Sequence, residues 1–212
     1  MADAKCKTCR RIGEKLFLKG ERCFTPKCAV VRKPYAPGSH GKKRGRAPSE
    51  YSRQLHEKQK LKALYGVSET QFRRYVTVAA ARHGQSVEEL MSQLERRLDN
   101  TVFRLGLAFS RSVARQLASH GHLLVNNKRV TIPSYAVRPG DLISVRKESL
   151  QKPPFKEALE RVKKYTPRRG LTLTARHSPP KWHAFQTPRT LEYSLPTSRP
   201  FLSIIHARIF IH

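Results

Sequence analysis

The chain has 212 residues, with 43 Lys and Arg against 15 Asp and Glu, and its formal net charge is +28. Because so large an excess of one sign repels itself, we expect a polyanionic partner, and a nucleic acid fits best since each neutralised phosphate also releases counterions. A membrane or secreted protein is disfavoured, because the longest apolar runs fall far short of the roughly 20 residues that span a bilayer and no signal-peptide pattern opens the chain.

The positive charge is spread along the chain instead of being collected in one tail. Residues 31–62 alone contain ten Lys and Arg against two Glu. Aliphatic clusters recur between residues 60 and 146 and can form a modest core. We therefore predict one or two small helical or mixed domains between extended basic segments that become ordered on the partner.

All four cysteines lie near the start of the chain, at Cys6, Cys9, Cys23 and Cys28. Two close pairs joined by a medium loop are the spacing of a four-thiolate zinc site, since each pair can occupy one side of a tetrahedral ion. We expect a structural zinc, because no fifth ligand or open position is evident, and we expect the neighbouring Lys and Arg to lower the thiol pKa values. Two disulfides, four unpaired thiols or an iron–sulfur cluster are the alternatives, of which the cluster is the less favoured metal centre.

After Cys28 the chain enters a stretch rich in Pro, Gly and cations, which disfavours a helix. Such an extended arm can follow phosphates closely, with Tyr35 stacking on a base. A solvated linker is an equally good interpretation of the composition. The RNA-binding candidates of this arm and the helix after it are Arg32, Lys33, Tyr35, His40, Lys42, Lys43, Arg44, Arg46, Arg53, Lys58 and Lys60.

From residue 52 to residue 121 the sequence carries helix signals, with capping boxes at the starts and glycines at the ends. The predicted helices cover residues 55–65, 68–83, 86–105 and 110–121. The third has apolar residues at three- and four-residue spacing from Leu90 to Leu105, which is typical of a face that packs in a core. Residues 122–130 then predict a hairpin with a tight turn at Asn126–Asn127, and a turn at 139–141 precedes a strand at 142–145.

Several segments in this region and before it resemble the family of ribosomal small-subunit protein four. They are residues 98–106, 110–117, 120–122, 125–126, 133–135 and 138–141, preceded by the cysteine quartet and by residues 37–41 and 57–61, all in the family's order. The resemblance covers about residues 5–150, and many segments in register are far more specific than any single motif. The cysteine-bearing form resembles the bacterial, zinc-binding members.

The resemblance implies an α+β fold. It implies a mainly helical N-terminal domain with a zinc knuckle, a small helix–helix–β-hairpin RNA-binding module inserted in that domain, and a short C-terminal β region. The implied boundaries are residues 1–50 for the knuckle and extended basic arm, 51–95 for the rest of the helical domain, 96–160 for the module, and 161–212 for a basic C-terminal segment that packs back on the helical domain.

The resemblance also implies a role. Family members are structural, non-enzymatic constituents of the cytoplasmic small ribosomal subunit. They bind 16S rRNA at a helix junction of its 5′ domain and nucleate assembly. They also line the channel by which mRNA enters, beside small-subunit proteins three and five, and support decoding accuracy. Some repress their own mRNA, and no homo-oligomer or membrane partner is implied.

The resemblance also implies which residues bind RNA. On the module, the matching RNA-binding face is Arg104, Arg111, Arg115, Gln116, His120, His122, Asn126, Lys128 and Arg129. Arg44 and Arg46 would contact mRNA.

The C-terminal segment departs from the family pattern. Members usually end in an acidic-to-apolar strand, whereas Glu192 is the one acidic residue after Glu160. Two alternatives to the ribosomal role are an RNA-modifying enzyme and a zinc-dependent regulator of mRNA. An RNA-modifying enzyme such as a pseudouridine synthase needs an Asp in an apolar pocket, but Asp99 and Asp141 stand in helix and turn contexts. A zinc-dependent regulator of mRNA would stay off the ribosome.

Overall fold

The computed structural model of the chain describes residues 4–42, 47–81, 86–164, 171–174 and 181–184. Two compact units are distinguished, with the boundary between Met91 and Ser92. Within the described residues, no helix is both long enough and apolar enough to cross a bilayer.

The first unit is helical. Its elements are α1 (Lys5–Ile12), a 3-10 turn (Gly20–Cys23), a short α2 (Ala29–Arg32), α3 (Glu50–Tyr65) and α4 (Glu69–Ala80), and α5 (Ser86–Glu95) contains the boundary. A small core joins Cys9, Ile12 and Leu16, with Leu18, Val30 and Ala63 packed against it. The α1 region is thereby packed on α3.

Local signals set the ends of α3 and α4. Ser68 Oγ accepts the backbone N–H of Gln71 at 3.3 Å, which confirms the predicted start of α4, and Gly66, at a φ of 62°, ends α3 as predicted. The predicted start of α3 at residue 55 is wrong. The helix begins at Glu50 because Ser49 Oγ accepts the N–H of Ser52 and so provides an earlier N-cap.

The second unit begins with two short helices, α6 (Leu98–Arg104) and α7 (Arg111–Ser119). The single helix predicted over residues 86–105 is wrong, because the backbone is extended at Arg97 and separates α5 from α6. The break is stabilised from outside the helix, since the N–H of Leu98 donates to Tyr135 O and the N–H of Val137 donates to Arg96 O. The start of α7 agrees with the prediction, with Ser110 as its N-cap.

In the part of the unit that the structure describes, five antiparallel strands follow in the order β2–β1–β3–β5–β4. They are β1 (Leu123–Val125), β2 (Lys128–Arg129), β3 (Leu142–Val145), β4 (Leu171–Thr174) and β5 (Lys181–Ala184), and α8 (Pro153–Lys164) lies between β3 and β4 in sequence. The β1–β2 hairpin is confirmed: Asn126 and Asn127 take φ values of 50° and 64° in a two-residue turn. The strand at 142–145 is also confirmed.

The core of the second unit lies where α6 and α7 meet β1 and β3. Leu98, Val102, Leu123, Ile143 and Phe155 are each 1% exposed or less and belong to one cluster. β5 pairs with β3, with Ile143 opposite Trp182, so two short pieces of the C-terminal segment extend the sheet of this unit. Most of residues 161–212 lie outside the described residues, and the prediction for that segment as a whole stays a prediction.

Candidate nucleic-acid interface

The arginines of α6 and α7 are positioned by carboxylate and amide acceptors of the protein. The carboxylate of Asp99, whose side chain is 2% exposed, accepts hydrogen bonds from Arg97 Nε at 3.0 Å and Nη2 at 2.8 Å. The same carboxylate accepts from Arg115 Nε at 3.0 Å and Nη2 at 2.7 Å. Arg115 was predicted to bind RNA, and its guanidinium is thus fixed against the protein.

Arg104 and Arg111, two further candidates, are fixed in the same way. Arg104 Nη2 and Nε donate to the two carboxylate oxygens of Glu95 at 2.7 and 3.2 Å. Arg111 Nε donates to Asn100 Oδ1 at 2.8 Å, and its guanidinium lies 4.7 Å from the centre of the Phe103 ring. All three side chains are only partly exposed, so any phosphate would meet guanidiniums that are already oriented.

The other candidates of the module lie at the end of α7 and along the hairpin. Gln116, His120, Lys128 and Arg129 are exposed. Asn126 is also exposed, but its amide stabilises the turn: Nδ2 donates to Asp141 Oδ1 and Oδ1 accepts the N–H of Leu142, both at 2.9 Å. Its side chain therefore has a structural role that the sequence pattern did not indicate.

His122 immediately precedes β1, and two of the cations near it, Arg146 and Lys152, are not among the RNA-binding residues predicted from the sequence. Its Nδ1 is 2.9 Å from Ser149 Oγ, and its ring centre is 5.9 Å from that of His120. Burial lowers the pKa of His122 below its usual value, and the charges of Lys152, His120, Arg129 and Arg146 lower it further. Lys152 and Arg146 carry no sequence signal of their own, because only the pairing of β1 with β3 brings them to His122.

In the first unit, Arg10 attaches the extended arm to α1. Its Nε donates to the carbonyls of Lys33 and Tyr35, both at 3.1 Å, and its guanidinium is 4.9 Å from the centre of the Tyr35 ring. Lys42 Nζ is 5.4 Å from the same ring. Sequence reasoning assigned Tyr35 to base stacking and missed Arg10, since the contact spans 25 residues. A base would have to stack on a ring that cations already approach.

The remaining candidates of the first unit divide into exposed and paired cations. Lys58 Nζ is 2.6 Å from Glu69 Oε1, and Lys60 Nζ is 2.6 Å from Glu14 Oε2. The side chains of Arg32, Lys33, His40, Lys42 and Arg53 are exposed. The candidates Lys43, Arg44 and Arg46 lie outside the described residues.

The four cysteines are unpaired, with Cys9, Cys23 and Cys28 buried and Cys6 half-buried. Burial raises the pKa of Cys9, and the charges of Cys23, Cys6 and Cys28 raise it further although a backbone hydrogen bond to Leu16 opposes them. The expectation that neighbouring cations would lower the thiol pKa values is wrong for Cys9. The cation next to Cys9 in sequence, Arg10, is hydrogen-bonded to the extended arm. In the described part of the chain, no three Cys, His, Asp or Glu side chains are grouped as metal ligands.

Known proteins resemble this chain along most of its length. Residues 1–95 match the family model of the ribosomal protein S4/S9 N-terminal domain, and residues 96–143 match that of the S4 domain. The small ribosomal subunit protein uS4 of Pelotomaculum thermopropionicum is 48% identical over 203 residues, which are 96% of this chain and 88% of the relative. The same protein from Thermosipho melanesiensis is 57% identical over 74% of each chain, and that from Thermus thermophilus is 52% identical over 74% of this chain and 76% of the relative. The chain therefore belongs to the uS4 family of small ribosomal subunit proteins.

Proposed function

We propose that this protein is a structural constituent of the small ribosomal subunit, in the cytoplasm, and that it binds 16S rRNA at a helix junction of the 5′ domain. The observation that carries the proposal is the family membership, which extends over both compact units: the two family models together match residues 1–143. The net charge of +28 supports it, because a chain so basic needs a polyanion to neutralise it.

The module supplies two kinds of group that suit folded RNA. Arg104 is oriented by the half-buried Glu95 and Arg115 by the buried Asp99, so little side-chain entropy is lost when they meet a phosphate. The exposed Gln116, His120, Lys128 and Arg129 provide amide, imidazole and cationic donors for ribose hydroxyls and phosphates. The two oriented arginines would fix the geometry of the RNA contact, and the exposed side chains would enlarge its area.

A binding competition tests the proposal. The full chain is titrated with a 5′-domain junction fragment of 16S rRNA and with a scrambled RNA of equal length, at several salt concentrations. We expect the fragment to bind more tightly by a factor of at least about 100, and its affinity to fall steeply with salt. Equal affinity for the two RNAs would contradict the proposal.

By kinship alone, we further propose that the protein nucleates assembly of the subunit and lines the channel by which mRNA enters. Its protein partners there would be small-subunit proteins five and three, and contact with protein five would support decoding accuracy. Arg44 and Arg46, which we assign to mRNA, lie outside the described residues. A subunit reconstituted without this chain should then assemble poorly, as measured by sedimentation.

We also propose that Cys6, Cys9, Cys23 and Cys28 bind one structural Zn²⁺. The chemistry of the donors fits, since four unpaired thiols in two pairs are largely buried and close enough to raise the pKa of Cys9. In the described conformation no three of them are grouped as ligands, so binding would have to draw the thiols together. The bound metal would crosslink α1 to the turn that follows it and stabilise the first unit.

A catalytic role has little support. Asp99 is enclosed by the guanidiniums of Arg97 and Arg115, and Asp141 accepts hydrogen bonds from Asn126 Nδ2 and the N–H of Arg138 at 2.9 and 2.7 Å. Both carboxylates therefore stabilise the fold. We propose that the chain acts by binding, as its ribosomal relatives do, and that the purified protein does not isomerise uridine.

A further inference from the structure

The end of β3 and the start of α8 form a short turn that is fixed against His122. The N–H of Arg146 donates to His122 O at 3.0 Å, the N–H of Ser149 donates to Arg146 O at 2.9 Å, and the N–H of Lys152 donates to Ser149 O at 3.1 Å. Residues 146, 149 and 152 are thus connected to the histidine by consecutive backbone hydrogen bonds. Their backbone positions are fixed by these main-chain hydrogen bonds.

The imidazole of His122 is held in one orientation. Ser149 is 3% exposed and its Oγ lies 2.9 Å from Nδ1, while the buried ring of Phe155 meets the imidazole edge-on at 5.8 Å. Because Nδ1 is engaged with Ser149, Nε2 is the nitrogen that can meet a ligand. The ring itself is half-buried, so a ligand at Nε2 would be partly shielded from water.

Four basic side chains from different parts of the unit lie near enough to this imidazole to act on its charge. They are His120 after α7, Arg129 on β2, Arg146 after β3 and Lys152 before α8, and each disfavours a positive charge on His122. The Arg129 guanidinium lies against Gly121, where a Cβ would collide with it. The acid of the same turn, Glu148, is exposed and pairs with Arg146 Nε. Such a concentration of positive charge favours a phosphate as its ligand.

We propose that His122, Arg129, Arg146 and Lys152 form a phosphate subsite for RNA, and that the imidazole of His122 takes up one proton when the phosphate binds. The proposal rests on the proposed function, since the phosphate is one of the RNA backbone. The proton comes from solvent, and no other bond is made or broken. The anion offsets the repulsion of the surrounding cations, so the imidazolium is disfavoured in the free protein and favoured in the complex.

Proton uptake makes RNA binding depend on pH in a defined direction. In the free protein the pKa of His122 lies below its usual value, and the bound phosphate raises it. Affinity therefore increases as pH falls through the interval between the free and the bound pKa, and it levels off below that interval. Each unit by which RNA raises the pKa strengthens binding by up to about tenfold.

The test measures the dissociation constant of the full chain for the 5′-domain fragment and the scrambled RNA from pH 8 to pH 5.5 at constant ionic strength. For the fragment we expect about a threefold to tenfold gain in affinity as pH falls. His122→Asn, which keeps a hydrogen-bonding atom near Ser149, should lose most of this gain between pH 8 and pH 5.5, whatever its affinity at pH 8. His56→Asn, on the exposed face of α3, should keep it.

A second pair of variants tests the subsite itself. Lys152→Gln should reduce the slope of log affinity against log salt by about one. Lys147→Gln, which removes an exposed lysine of the same turn that is not among the four cations, should change the slope much less.

The outcomes separate this proposal from the proposed function. If the wild type does not distinguish the fragment from the scrambled RNA, the proposed function fails. If it distinguishes them but its affinity is independent of pH, or gains equally in His122→Asn, the proton-linked subsite is wrong. Equal salt slopes for Lys152→Gln and Lys147→Gln would also overturn the subsite, since they would indicate general attraction to the net charge.

Discussion

Asp99 shows why residue type alone does not assign a role. From the sequence, Arg104, Arg111 and Arg115 are cations on a helical RNA-binding module, and the structure does place them on α6 and α7. What the sequence could not show is that Glu95, Asn100 and Asp99 accept their hydrogen bonds, because those contacts span up to 16 residues. The same limit applies to Arg10, Arg146 and Lys152, whose positions follow from tertiary packing.

Asp99→Asn should strongly destabilise the second unit. Arg97 and Asp99 have side chains only 6% and 2% exposed, and the substitution leaves a buried guanidinium without its counter-charge. We expect a loss of about 3 kcal/mol in the free energy of unfolding, measured by urea denaturation. Glu148→Gln, in an exposed ion pair, is the control and should change stability by less than about 0.5 kcal/mol. Similar values for both variants would refute the structural role of Asp99.

Replacing Cys23 and Cys28 by serine should remove the metal. The reduced wild-type protein should contain about one zinc per chain by elemental analysis, and the double variant almost none, since two thiolates cannot hold the ion. Residues 1–40 of the variant should also become sensitive to protease. Thr25→Ser, in the same exposed turn, should retain the zinc. Finding iron, or no metal in freshly reduced wild type, would disprove the zinc site.

Helix ends and turns that depend only on neighbouring residues could be predicted from the sequence. The N-cap at Ser68, the glycine that ends α3 and the Asn126–Asn127 turn each depend on a few neighbouring residues, and all three are as predicted. The break between α5 and α6 was not predictable in this way. It is stabilised by backbone bonds to residues 133–137, about 40 positions further along, whereas the apolar spacing runs through it without interruption.

α3 and α4 are joined by a charge cluster that should respond to pH. Burial of Glu69 opposes its ionisation, but hydrogen bonds from Lys58 and Lys62 outweigh that effect and lower its pKa. A lowered folded-state pKa adds stability above the unfolded value, and this stability is lost as pH falls through the folded value. Glu69→Gln should therefore lower Tm at pH 7, and the difference from wild type should disappear well below about pH 4.

The matched control for that experiment is Glu50→Gln. Glu50 and Arg53 lie 3.9 Å apart and are both largely exposed, so their pair contributes little. Its Tm difference from wild type should be small at every pH. A Glu69→Gln difference that persists unchanged to pH 3 would show that packing, and not the charge of Glu69, joins the two helices.

At the scale of the whole molecule, the charge of +28 was the clearest sequence signal and also the least specific. It predicted a polyanion, while the family resemblance supplied the kind of polyanion. In the structure the basic side chains fall into two groups. Some, such as Arg115, are oriented by a buried acid, and others, such as Lys128 and Arg129, are exposed. The first group stabilises the module and the second accounts for much of the excess that a partner must neutralise.

The most direct test of the central claim is crosslinking of the protein within small ribosomal subunits isolated on a sucrose gradient. We predict that the chain sediments with the subunit and that residues 116–129 crosslink to the 5′ domain of 16S rRNA. A chain that remains at the top of the gradient, or whose crosslinks from this surface lie entirely outside that domain, would contradict the account.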